Sequence, residues 1–364
     1  MKGTAVIVGG GIAGLAAARS LLDGGWDVEV RERHSTLSTT GTLLSLWPVA
    51  YASLQRLGAA DRLETIELAS GELVAPDGRV LASLRLPPGS RGVGRMNLLE
   101  TLLAALPDGT VRWGSPVGPA DLADLTDRAD VVVAADGVHS AVRSASFPGA
   151  RLRDAKVVAF RGVAPIASRD GSETWGRGLI FGRAPFPGGG SNWYAGVRTE
   201  LAGTRDDDPL DVLRALYRDW HPKVHEVLDS LIPEAIDRRR IEDMAPLKSY
   251  VAGNVVLVGD AAHAMAPHLG RGGCESLVDG LALAEALRAA SSVEEGLRRY
   301  DAARRRPSQR AVAGSRLMNR LTNQQRHPWL RDTLVAAAGR VVRGFAARRG
   351  EYGRPSQRVG GTRP

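Results

Sequence analysis

Residues 4–14 read TAVIVGGGIAG, and residues 27–32, one helical segment later, read DVEVRE. TAVIV is a short β-branched run of the kind buried in a parallel sheet. After the glycines, LAAARSLLDGG sets Leu15, Ala18 and Leu22 at helical spacing and closes on glycine. A second strand then runs to Glu32. Together these pieces form a βαβ unit of about 30 residues, the least that a parallel crossover requires.

Inside that unit Gly9-x-Gly11-x-x-Gly14 has the spacing of a dinucleotide-binding loop. Gly9 permits the tight turn, and Gly11, followed by Ile12 and Ala13, lets the backbone approach a pyrophosphate. Gly14 lets the helix pack on the strand, and the helix N-terminus faces the phosphate charge. Glu32 is placed to accept hydrogen bonds from a ribose diol, and its charge repels a 2′-phosphate. The competing reading is a glycine-rich turn followed by an ordinary surface Glu. Strand, helix and acid in register favour the nucleotide, without separating FAD from NAD.

The α/β texture extends outward from this unit. Residues 41–58 look like an extended entry into a helix stopped by Gly58, NLLETLLAAL at 97–106 is a helix, and ADVVVAADG at 129–137 is an apolar strand feeding a glycine turn. Between about 68 and 90 a D-G turn separates short strands, which predicts a hairpin. From 155 to 250, short runs such as KVVAFRGVA and SNWYAGVRT alternate with Gly and Pro clusters, predicting an antiparallel sheet, with two helices split near Pro222. NVVLVG at 254–259 and the helix at 275–290 restore the first texture. Two or three basic helices and a flexible tail are expected to end the chain.

A second constellation lies at 254–279, NVVLVGDAAHAMAPHLGRGGCESLVD. A strand runs into Gly259-Asp260, and a Pro-interrupted loop leads to Gly270-Arg271-Gly272-Gly273 at a helix start. Bare N–H groups there suit a bound group that gains negative charge. Asp260 is placed to hold the hydroxyls of a polyol linker; alternatively it is a turn residue in a capped loop.

Composition narrows the class. At 364 residues the chain exceeds one ordinary core, so two lobes, or one large domain with an insertion, are expected. With 43% hydrophobic and 24% charged residues it is not a disordered or fibrous sequence. Mean hydropathy is −0.14, and no run is long enough for a membrane-spanning helix, so no integral membrane contact is expected. The first twenty residues resemble a signal peptide in outline, but the glycine spacing marks them as a first strand. The single cysteine, Cys274, excludes an internal disulfide framework and a cysteine metal cluster, and fits a cytoplasmic location. The net charge of +8 sits largely in the late arginine-rich segments. It reads as a solvated face and tail rather than a nucleic-acid surface, because no nucleic-acid-binding signature accompanies it.

GGGIAG with Glu32, then VVVAADGVHSAVR, then LVGDAAHAMAPHLGRGGCESLVDG resemble the three FAD-associated motifs of class A flavoprotein monooxygenases, which share the para-hydroxybenzoate hydroxylase fold. The likeness covers about residues 4–310 in the right order. It implies a Rossmann-like FAD-binding lobe (1–70, 91–154 and 251–310) with an inserted, mainly antiparallel β-sheet substrate lobe (71–90 and 155–250). C-terminal helices (311–350) and a tail (351–364) follow.

Residue by residue, the resemblance puts Gly9, Gly11, Ile12, Ala13 and Gly14 on the pyrophosphate, and Glu32 with Arg33 on the adenosine ribose. It puts Arg95 on the ribityl and phosphate portion, Asp136-Gly137 with Arg143 in a motif linked to FAD and NAD(P)H, and Asp260 on the ribityl hydroxyls. Pro267, Gly270, Gly272, Gly273 and Cys274 would line the isoalloxazine, with Ser45 and Val117 as further contacts; the Cys274 side chain reads rather as a small buried hydrophobe. Arg271 stands where many members carry Gln, and either raises the flavin potential, meets an anionic substrate or faces solvent. Phe160, Trp175, Phe181, Phe186, Trp193 and Tyr194, with Arg161 and Arg198, are candidates for a pocket wall, or for core.

The activity implied is hydroxylation or epoxidation of a small aromatic or conjugated substrate, using non-covalent FAD, NAD(P)H and O₂ through a flavin C4a-hydroperoxide. No side chain is needed as a nucleophile, and no catalytic residue is assigned. A dehydrogenase or reductase of the same fold, and a non-enzymatic nucleotide-binding protein, are the alternatives. A halogenase would carry a W-x-W-x-I-P motif and a catalytic Lys. That motif is missing, and Lys2, Lys156, Lys223 and Lys248 lie outside the flavin segments.

Overall fold

The glycine turn joins strand β1 (Thr4–Val8) to helix α1 (Ile12–Asp23), and strand β2 (Asp27–Arg31) returns parallel to β1. The structure is a computed structural model that describes residues 2–37, 42–323 and 331–333. Strands and helices are numbered along the whole chain. Residues 5–8 of β1 are buried, as both-sided cover in a parallel sheet requires. On its other side β1 pairs with β9 (Val131–Ala134), and β9 pairs with β16 (Val255–Leu257), again in parallel. With β8 (Val111–Arg112) and β15 (Val251–Ala252) at the edges, the sheet order is β15-β16-β9-β1-β2-β8. Residues 6, 132 and 255 thus stand side by side.

A second sheet holds β5 (Ser70–Val74), β6 (Val80–Arg85), β10 (Leu152–Ala164), β11 (Gly171–Trp175), β12 (Leu179–Pro185), β13 (Ser191–Arg198) and β14 (Asp237–Met244) in the order β14-β10-β13-β12-β11-β5-β6. All its pairs are antiparallel except β11 with β5. The D-G hairpin therefore joins this sheet as its edge. A small antiparallel sheet of β3 (Leu43–Leu46), β7 (Arg91–Gly94) and β4 (Thr65–Glu67) lies between the two.

Helices α2 (Pro48–Arg56), α3 (Arg95–Leu103), α4 (Pro119–Arg128), α5 (Ala141–Ser146), α8 (Asp260–His263) and α9 (Gly272–Arg288) accompany the first sheet, with α1 packed on α9. Helices α6 (Pro209–Tyr217) and α7 (Pro222–Asp229) cover the outer face of the second sheet. There Phe160, Phe181 and Trp193 form one core with Leu213, Tyr217 and Val224. Strand alternation sends them to that face, so these three pocket-wall candidates are core residues.

The basic C-terminal region differs from expectation. Instead of separate helices divided near 310, one helix, α10, runs Val293–Thr322 with Pro307 inside it. The proline removes one intrahelical hydrogen bond, but tertiary bonds grip the helix around and beyond it. Ser308 Oγ lies 2.8 Å from Tyr250 Oη, Asn319 Nδ2 donates to Ala155 O at 2.9 Å, and Ser315 donates to Ala266 O. The helices expected beyond 323, except residues 331–333, and the tail at 351–364 lie outside the described residues. No helix among the described residues is long and apolar enough to cross a membrane.

Candidate active site

The first turn of α1 is the corner on which the site is built. Gly9 adopts φ +110°, a region L side chains avoid. A side-chain carbon on Gly14 would sit 1.9 Å from Gly9 O, so the helix can start against the strand only at glycine. At Gly11 such a carbon meets no protein atom within 4 Å, and Gly11 caps α1 without any side-chain bond to the helix N–H groups. Open space and unsatisfied donors at one point make a cradle for an anionic group.

Glu32 stands just past β2. Its Oε2 accepts from Gly10 N at 2.6 Å, and Oε1 accepts from His34 N at 2.9 Å with His34 Nδ1 at 2.7 Å. Burial alone would raise its pKa, but the His34 and Gly10 backbone bonds outweigh it and hold the carboxyl below its ordinary value. Oε1 is thus fully engaged, and only Oε2 keeps capacity for a ribose hydroxyl. Arg33 is exposed. Val117 is half-buried in a loop tied to the same corner by Gly114 N to His34 O and Ser115 N to Glu32 O.

The second stretch meets the first here. A side-chain carbon built on Gly259 falls 2.6 Å from Ala13 Cβ, and one on Gly273 falls 4.0 Å from Ile12 Cδ1. Asp260 begins α8 and remains open to solvent although protein encloses it, as befits a cleft floor. Burial raises its carboxyl, while His263, Arg95 and Arg161 oppose that rise. Arg95, the first residue of α3, is depressed by burial and by Arg161 and Arg239. Arg95, Asp260, Arg161, Asp237 and Arg239 therefore lie within electrostatic reach of one another.

Pro267 lies in a 3₁₀ turn (Pro267–Leu269) that ends at Gly270, whose φ of +58° turns the chain into α9. Helix α9 starts at Gly272-Gly273 with no side-chain cap, so its first N–H groups have no side-chain partner. Ser45, on β3, sits beside Gly270, 3.4 Å from where a side-chain carbon there would be. Cys274 stands in the first turn of the same helix. Its thiol is buried and bonded to Ser45 O at 3.1 Å, and burial pushes it up to about 11. The side chain packs against β3 as a small core group, which leaves only its backbone N–H for a ligand.

Asp136 follows β9. Its Oδ2 accepts from Val142 N at 3.2 Å, while Oδ1 is buried without a partner among the described residues. Arg143, expected to serve nucleotide binding, is buried and donates to Ala261 O at 3.0 Å and Val138 O at 2.7 Å. It clamps the Asp136-Gly137 turn to α8. Arg198 pairs with Glu200 at the end of β13, away from this cluster.

Sequence reading missed the ions beneath the cleft. Asp279 accepts from Gly259 N (2.8 Å), Arg304 Nε (2.7 Å) and His263 Nε2 (2.6 Å), and Arg304 continues to Glu275 (2.6 Å). Glu275 in turn holds Arg271 at 2.6 Å, and the Arg271 guanidinium lies over the Trp47 ring at 5.7 Å. Arg271 is thus pinned, not free in solvent. The available signal was the four-residue spacing of Glu275 and Asp279, which puts both acids on one helix face.

The residues fit FAD: two uncapped helix starts, a carboxylate on the cleft floor and an open loop at Gly11. The family model described as "FAD binding domain" matches residues 120–315. The chain is 29% identical to the aurachin C monooxygenase/isomerase of Stigmatella aurantiaca, over 91% of this chain and 93% of that protein. It is 30% identical to the 2-heptyl-3-hydroxy-4(1H)-quinolone synthase of Mycobacteroides abscessus, over 93% and 95%. In fold it is similar to Klebsiella pneumoniae HpxO complexed with FAD and uric acid, with a TM-score of 0.83, 24% identity and cover of 94% and 96%. The chain therefore belongs to the class A FAD-dependent monooxygenases.

Proposed function

We propose that this enzyme inserts one oxygen atom from O₂ into a small nitrogen-containing aromatic or conjugated carbonyl compound, with NAD(P)H as reductant. The observation that carries the reading is the meeting of Ala13 with Gly259 and of Ile12 with Gly273, which joins the glycine loop and the Asp260 segment into one elongated cleft. In this reading Gly11 and the α1 N-terminus bind the pyrophosphate, and Glu32 takes one ribose hydroxyl through Oε2. Arg95 and Asp260 hold the phosphate and ribityl portion, and the uncapped start of α9 faces the ring system. Bound FAD supplies the redox chemistry with O₂. The chain's own work is to orient both molecules, exclude water and stabilise developing charge.

The relatives support the substrate class: their names include a 4(1H)-quinolone and an aurachin, and the HpxO complex holds uric acid. A buried thiol with no disulfide partner suits a cytoplasmic setting. The test is a screen of quinolones, purines and salicylates for stimulated NAD(P)H consumption, with ¹⁸O₂ followed into product. Product that carries no label under conditions of full NAD(P)H consumption contradicts the reading and leaves an oxidase or reductase.

A further inference from the structure

Where α10 passes the end of β14, the two elements bound a groove of about 200 Å³. None of its lining residues belongs to the glycine loop, the Asp260 segment or the turn from Pro267 to Gly270. Beneath it lies Asp243, which is 1% exposed and has both carboxylate oxygens occupied. Strand register puts Arg153 of β10 opposite Asp243, and Arg153 Nε donates to Oδ1 at 2.6 Å. Arg316 Nη1, from α10, donates to Oδ2 at 2.6 Å. Arg153 Nη2 goes on to Met244 O at 3.0 Å. Arg153 Nη1, Arg316 Nε and Nη2, and every donor of Arg320 one turn later make no hydrogen bond among the described residues. All three arginines line the groove. One carboxylate thus serves three guanidiniums, and the surplus of like charge beside unused donors favours a further anion.

The rest of the lining is apolar. Met244 and Pro246 come from the sheet side and Val312 from the helix, with Ala313 and Leu317 at the exposed rim. Leu317 is 66% exposed, more than any other large hydrophobic among the described residues. An apolar wall next to unused guanidinium donors matches a ligand with a charged head and an apolar tail. Since a cavity of about 150 Å³ takes benzene, this one takes a tail of roughly six to eight carbons.

Both walls also support the stretch that leads into α9. Met244 N donates to Ala264 O at 2.8 Å. Ser315 donates to Ala266 O, and Asn319 Oδ1 lies 2.7 Å from His268 Nε2. Ser315 and Asn319 directly precede Arg316 and Arg320, so one face of α10 holds this stretch while the neighbouring face lines the groove.

We propose that the groove is a second ligand site, separate from the cofactor cleft, for a small amphiphilic anion: a carboxylate or phosphate head on a short apolar tail. The head sits among the unused donors of Arg153, Arg316 and Arg320, and the tail lies along Met244, Pro246 and Val312. Bound there, the anion ties α10 to β10 and β14 and, through Ser315 and Asn319, braces residues 264–268.

The test is calorimetric titration of the FAD-loaded protein with octanoate and with octyl phosphate, which separate the two heads. Acetate supplies a head without a tail, and octanol a tail without charge. At least one of the two octyl anions binds one per chain with a Kd below about 1 mM, and acetate and octanol bind at least about tenfold more weakly. Arg320→Glu and Ala313→Trp change exposed positions, and each weakens the octyl anion by about tenfold or more. Arg316 is left in place because Asp243 depends on it. Hydrogen exchange at residues 264–268 and 309–320 slows on binding. Binding persists in Gly11→Val, whose altered side chain stands in the cleft, so failure of the monooxygenase reading leaves this site intact. The proposal is overturned if neither octyl anion binds, or if both variants bind as the wild type does. Equal binding of octanol or acetate overturns it, as does loss of binding in Gly11→Val. A dimer in sedimentation that octanoate does not dissociate, with this face buried in it, also overturns it.

Discussion

Gly11 and Gly14 are three residues apart at the same corner, yet they respond to an added side chain in opposite ways. A side-chain carbon at Gly11 points into the open cleft, whereas one at Gly14 strikes the carbonyl of Gly9 at 1.9 Å. Gly11→Val should therefore leave the melting temperature of the flavin-free protein nearly unchanged, within about 0.5 kcal/mol as for other substitutions that touch nothing. The same variant should lose FAD on gel filtration, because the valine stands where the pyrophosphate approaches. Full flavin occupancy in Gly11→Val would move the phosphate site elsewhere. The role of these glycines was legible because spacing alone encodes a strand–turn–helix corner. What His34 does to Glu32 was not, since nothing local announces that its ring and backbone take up Oε1.

Helices α9 and α10 are joined through charge that water does not reach. Asp279 on α9 is fully buried, and Arg304 on α10 supplies its permanent counter-ion. Burial would raise the Asp279 carboxyl, but His263, Arg304 and the Gly259 N–H outweigh it and hold it below its ordinary value. A depressed carboxyl contributes stability that is complete above its unfolded pKa of about 3.9 and is lost as pH falls through the folded value. His263 runs the other way: burial lowers it, Asp279 outweighs burial, and its net rise stabilises fully below about 6.5 and fades as pH climbs through the folded value. Melting temperature against pH should thus plateau between these limits. Asp279→Asn should lower stability by about 3 kcal/mol or more, since it strips a buried cation of a partner, and should flatten the acid-side decline. An unaltered acid slope in that variant would assign the acid sensitivity to other carboxylates. The long helix α10 was itself misread from sequence. Two or three helices were expected in this region, and the bonds from Ser308, Ser315 and Asn319 that hold the one long helix together come from residues 49 to 164 positions away.

At the scale of the whole molecule, the proposed function has FAD tie together residues that the chain keeps some 250 positions apart. At about a hundred times its Kd a ligand that binds only the folded state adds about 2.7 kcal/mol. Hydrogen exchange with saturating FAD should slow together at the loop after β1, at Asp260 and at the start of α9, while α6 and α7 on the far side change little. Protection confined to the loop after β1 would mean that the second stretch does not hold the coenzyme. By itself the sequence determined the βαβ corner, the sheet inserted between flavin-binding segments, and the family, because each is written in short-range spacing, in strand and helix periodicity, or in motif order. Only the tertiary structure decided which face of the inserted sheet is core and which looks into the cleft. It alone chose Ser45 as the partner of the buried Cys274, pinned Arg271 between Glu275 and Trp47, and laid Tyr194 across Gly182 onto Glu173. Those outcomes depend on strand register and on helix contacts made across long stretches of chain, and a buried polar group finds its partner in space rather than in sequence.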